Sequence, residues 1–195
     1  MSCMPTENSP SSDPQSYVVA ADPFAILGVD PAFDLDMRAL RAQWIKAAAQ
    51  VHPDVAGASQ ASARVNEAFR VLSHPLSRAE ALLSKFGLRA LAEQDNVKRA
   101  LPVGFLMEMM EFREEVDTLK PSDTQARTSL REVANSRRDS AIAGIASAFR
   151  ALAQSPSDER ARARAVREVV EWANVVRSFD RMTEQLDREF GMDSL

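Results

Sequence analysis

At 195 residues, with 45% hydrophobic and 27% charged content and a net charge of −4, the chain has the composition of a globular protein of one or two domains. No apolar run approaches the roughly 20 residues of a spanning helix, and the start lacks the basic-then-apolar order of a secretory signal, so a membrane role is not expected and the cytoplasm is the expected compartment. One cysteine, Cys3, offers no disulfide framework and no cysteine cage for zinc or an iron–sulfur cluster, so no resident metal or cofactor is expected; the acidic balance argues against nucleic acid.

Residues 1–20, rich in Ser, Pro and Asp, lack helical or strand period and read as a disordered tail. Asp22-Pro23 then supplies a cap and a first-turn proline, opening a short helix that Gly28 closes. A second helix is expected over about 35–51, carrying Leu40, Trp44 and Val51 on one face, and a third over about 59–73, carrying Val65, Phe69 and Leu72. Between them Pro53 stops the pattern and sets His52-Pro53-Asp54 at an exposed turn. Ser77-Arg78-Ala79-Glu80 reads as a capping box for a fourth helix ending at Gly87. Residues 88–101 have weak periodicity and are taken as a linker with some helical turns, dividing a domain over 21–87 from one over 102–191.

In the second domain Pro102 is expected to open a helix reaching Leu119, and Pro121-Ser122-Asp123 to precede another long one. Ser155-Pro156-Ser157-Asp158 should cap a third, lasting to about Phe190 and spanning about 52 Å. Three long antiparallel helices make a bundle, so the chain as a whole is all-α.

The helix after Pro102 has more apolar residues than one buried stripe needs. Phe105, Met109, Phe112, Val116 and Leu119 fall in one arc. Leu106, Met107 and Met110 point elsewhere, interleaved with Glu111 and Glu114. Either the helix is central and buried on two sides, or the second face meets a partner; carboxylates in that arc and the adaptability of methionine favour the partner.

Catalytic material is scarce. The two histidines, His52 and His74, each precede a proline, and there is no phosphate loop or nucleophile elbow. An enzyme using His52 and Asp54 as an acid/base pair would lack a third catalytic group, and a purely structural helical scaffold would leave the exposed turn without a task. No catalytic residue is therefore assigned.

A His-Pro-Asp triplet after an amphipathic helix, with NEAFRVLSHPLSRAEALL following, resembles a J-domain, the module that activates the ATPase of DnaK-type chaperones. LSHPLSRAEALLSKFG with FLMEMMEFREEVD downstream narrows the resemblance, over about 22–190, to HscB, the J-domain co-chaperone of iron–sulfur cluster assembly. Without the amino-terminal cysteine pairs of eukaryotic relatives, it resembles the bacterial branch. The resemblance implies an amino-terminal J-domain and a carboxy-terminal three-helix bundle. The chaperone, of HscA or DnaK type, would be met by His52, Pro53 and Asp54 with Arg38, Arg41 and Lys46 on the second helix. Scattered cations are also what any solvated helix face carries. An IscU-type scaffold protein would be bound by Leu106, Met107, Met110, Glu111 and Glu114, together with Trp172, for which ordinary core packing is the other reading. The expected function is to bind the scaffold and stimulate the chaperone ATPase; delivery of a different client is the alternative.

Overall fold

The computed structural model describes residues 22–51, 58–120 and 122–189; the expected tail and the His52-Pro53-Asp54 turn lie outside the described residues. Among these, nine helices and no strand are present: α1 (Pro23–Leu27), α2 (Met37–Ala49), α3 (Ala58–Ser73), α4 (Pro75–Lys85), α5 (Arg89–Ala92), α6 (Asp95–Lys98), α7 (Phe105–Thr118), α8 (Thr124–Gln154) and α9 (Glu159–Glu189).

The first helix forms as its punctuation dictates. The Asp22 carboxylate accepts from the Phe24 amide at 3.0 Å, Pro23 occupies the first turn, and Gly28 leaves the helix at φ +61°, a left-handed conformation that glycine adopts without a Cβ penalty. Burial works against the Asp22 carboxylate. Its bonds from Lys85 and the Phe24 amide outweigh that cost and hold it below the usual carboxylate range. The second helix is capped likewise by Asp36, which accepts from the Arg38 amide at 2.8 Å. Helices α2 and α3 pair through Trp44, whose ring stacks on Phe69 at 4.9 Å while its indole nitrogen donates to the Asn66 side chain at 3.0 Å.

Two expected helix starts are corrected. α4 begins at Pro75 with His74 as its cap residue, so Ser77 lies inside the helix and makes no capping box. Proline at the first position is already at helical φ and gives up only an amide that would have no helical partner, so the helix starts three residues sooner. α9 is capped by Asp158, which accepts from the Arg160 and Ala161 amides at 2.9 and 3.2 Å. Ser155 instead terminates α8, so Pro156 falls in the turn between the helices. α7 also starts late, after Gly104 at φ +84°.

The two halves share one continuous core. Phe33, in the loop after α1, stacks on Phe149 of α8 at 5.6 Å; beside it Arg150 pairs with Asp34 at 3.2 Å. Farther along the seam, Arg177 of α9 donates to Glu80 of α4 at 2.8 Å. The 88–101 connector is held down too: Leu88, Val97 and Ala100 are buried, and the Asn174 amide donates to the Lys98 and Ala100 carbonyls at 3.1 and 2.9 Å. Inside this framework Arg78 is buried, with 8% of its surface exposed. It donates to the Leu72 carbonyl at 2.8 Å and the Phe33 carbonyl at 2.6 Å, and its guanidinium lies over the Phe33 ring.

Candidate functional site

α7 divides its side chains between two surroundings. Phe105, Phe112 and Val116 are buried, with Met109 and Leu119 packed against the core. Both phenylalanines meet Phe179 of α9 edge-on, at 5.9 and 6.0 Å. The opposite face is open: Leu106, Met107 and Met110 are 67%, 64% and 61% exposed, and Glu111 and Glu114 are exposed beside them. Burial on two sides is thereby excluded. Large apolar side chains grouped in water beside carboxylates are the surface chemistry of a docking site.

Trp172 belongs to α9. It is half-buried, two helical turns before Phe179, about 10 Å along the axis. Its indole covers Gly144 of α8, where an added Cβ would stand 2.7 Å from the ring. This is the packing role that the sequence left open. A Gly144→Ala change should therefore destabilise: overpacking costs about 2 kcal/mol and improved helix propensity returns about 1. A net loss of about 1 kcal/mol in urea unfolding, with altered tryptophan fluorescence, is the expected result.

On the amino-terminal side, Arg38, Arg41 and Lys46 are all exposed on α2 and form no ion pair among the described residues. The triplet they would assist lies outside the described residues, between the end of α2 and the start of α3. Two features escaped the sequence reading. Arg78 reads from sequence as part of a cap, although its phase one turn from Leu82 also suits the core position it occupies. Ile45, 54% exposed among the α2 cations, and Val133, 48% exposed on α8, carried no sequence signal of exposure. Among the described residues no group of three or more His, Cys, Asp or Glu could hold a metal ion, and no helix is long and apolar enough to cross a membrane.

Residues 101–178, the segment holding α7, α8 and most of α9, match the family model described as the HSCB C-terminal oligomerisation domain. The HscB chaperone from Vibrio cholerae is similar at 27% identity, over 85% of this chain and 99% of that one, with a TM-score of 0.57. The carboxy-terminal part of the chain therefore carries an HscB-type domain. Human co-chaperone HscB shares the fold at 19% identity, over 96% of this chain and 94% of that one, with a TM-score of 0.68. So does the Jac1 co-chaperone from Saccharomyces cerevisiae, at 22% identity, over 78% and 85% of the two chains, with a TM-score of 0.52. The chain thus has the all-helical architecture of HscB-type co-chaperones, an amino-terminal J-domain followed by a carboxy-terminal helical domain.

Proposed function

We propose that this HscB-type chain is a cytoplasmic adaptor that binds an IscU-type scaffold through its carboxy-terminal domain and stimulates the ATPase of an HscA- or DnaK-type chaperone through its J-domain. It performs no chemistry of its own. Residues 21–87 serve as the J-domain, 88–101 as the connection and 102–191 as the scaffold-binding domain. The observation that carries the reading is the open face of α7, where Leu106, Met107 and Met110 remain more than 60% exposed while the other side of the same helix is buried.

On the chaperone side, Asp54 supplies a carboxylate for an arginine of the partner, Pro53 fixes the turn and His52 orients it. Arg38, Arg41 and Lys46 steer the encounter with an acidic chaperone surface, an effect that salt weakens. On the scaffold side, Leu106, Met107 and Met110 form the apolar centre, Glu111 and Glu114 its charged edge, and Trp172 a flank through the part of its ring left uncovered. Holding both partners on one frame raises the effective concentration of each for the other.

Chaperone ATP turnover, measured with the scaffold present and with and without this protein, tests the reading. Stimulation should appear with the natural chain and vanish in His52→Gln while the helical circular-dichroism spectrum is retained. Stimulation without any binding of the IscU-type scaffold would mean that another client is served. ATP turnover unaffected by the natural chain would defeat the reading.

A further inference from the structure

The exposed large apolar side chains of the carboxy-terminal domain fall mostly on α7 and its approach. Beyond Phe86 they are Val103, Leu106, Met107, Met110 and Val133, among the described residues. Four belong to α7 or its first approach; the fifth is on α8.

The helix directions decide whether Val133 adjoins the others. Arg131 pairs with Asp187 at 3.0 Å and Arg138 with Asp180, so α8 runs opposite to α9. α7 begins just after Ala100, whose carbonyl is held by Asn174, and ends six residues before α8 starts at the far end of α9. It therefore runs along α9 and against α8. Glu108 of α7 meets Arg137 of α8 at 2.8 Å. Moving one turn on from Glu108, toward Glu111 and Phe112, moves one turn back from Arg137, to Val133. At 100° per residue Met107, Glu111 and Glu108 step round α7 toward that junction. Val133, one turn from Arg137 and about 6 Å from it between Cβ atoms, lies where that arc reaches α8.

We infer that the scaffold-docking face does not end at α7 but crosses the Glu108–Arg137 pair onto α8, with Val133 as its outer apolar contact. This rests on the scaffold-binding reading above and adds to it the extent of the surface and the chemistry of the partner. α7 carries Glu108, Glu111, Glu114, Glu115 and Asp117 against a single Arg113. A matching surface has an apolar centre rimmed by lysine or arginine. A single α7 stripe would take a narrow contact; the two-helix face takes a broader one.

The test is calorimetric titration of the full chain with a purified IscU-type scaffold. Val133→Asp should weaken binding at least tenfold, because it places a carboxylate against apolar surface and leaves it unpaired. Ala163→Asp, an exposed site on α9, should leave binding unchanged. If Leu106→Asp weakens binding and Val133→Asp does not, the extension onto α8 is wrong and the scaffold reading stands. If the natural chain does not bind the scaffold, that reading fails and the inference falls with it. A self-associated chain that Val133→Asp dissociates, with scaffold binding unaltered, would give this face to a second copy and overturn the inference.

Discussion

Arg78→Met should destabilise the protein by about 3 kcal/mol, lowering the melting temperature by roughly 6–12 °C for a chain of this size. The side chain links three segments: α4, which bears it, the end of α3, whose Leu72 carbonyl it caps, and the 28–36 loop, whose Phe33 carbonyl and ring it also meets. Methionine fills similar volume without a donor. The Leu72 and Phe33 carbonyls are then left in a buried site without this bond, which costs about 1–3 kcal/mol each less what water recovers. Phe33 also stacks on Phe149, so slackening the loop loosens the seam between the two domains. Burial lowers the Arg78 pKa, and Asp34 only partly offsets this. A guanidinium nevertheless stays charged across the working pH range, so the loss should not depend on pH between about 5 and 8. Arg78→Lys should recover only part of it, because one ammonium lacks the planar fork that serves two carbonyls at once. Thermal and urea unfolding of the three proteins check this; equal stability of Arg78→Met and the natural chain would refute it.

Arg78 also marks where the sequence stopped being legible. Its bonds reach a carbonyl 45 residues away, and the Arg150–Asp34 pair beside the Phe33–Phe149 stack joins residues 116 apart. No local period encodes such meetings, since they follow from how finished helices settle on one another. Local signals served where they had no competitor. Asp22, Pro23 and Gly28 delimit α1 because cap, first-turn proline and left-handed glycine all agree. Ser77 and Ser155 were misread as caps because a stronger device stood within three residues, Pro75 in one case and Asp158 in the other.

The candidate site was more legible than its surroundings. The phase of Phe105, Phe112 and Val116 committed one side of α7 to the core, and three apolar residues could not follow them round the helix. What the wheel omitted was the neighbouring helix. Nothing in the sequence separates Val133 from its neighbour Ala134 as the one to be exposed, yet only Ala134 is buried. Facing residues on a long helix shift by tens of degrees with small changes of crossing angle, and only the packed bundle fixes which one turns out.

The double change Leu106→Ala, Met110→Ala should weaken binding of an IscU-type scaffold about 100-fold while leaving the protein as stable as before. Each side chain is more than 60% exposed in the free protein, so truncation opens no cavity, and surface changes of this kind move stability by only about 0.5 kcal/mol. On docking the same two become the centre of the contact. Truncating a central apolar anchor costs about 1.5 kcal/mol, and two such losses give the hundredfold change. The opposite face supplies the contrast. Phe112→Ala removes a ring that is 6% exposed and packed edge-on against Phe179, so it should cost about 3–5 kcal/mol of folding stability. Calorimetric titration and thermal melts on the two variants therefore separate the faces of one helix. A double variant that keeps the natural affinity would remove α7 from the docking surface. A double variant that melts early would show that the exposed face is needed for folding, so that its exposure could not be reserved for a partner.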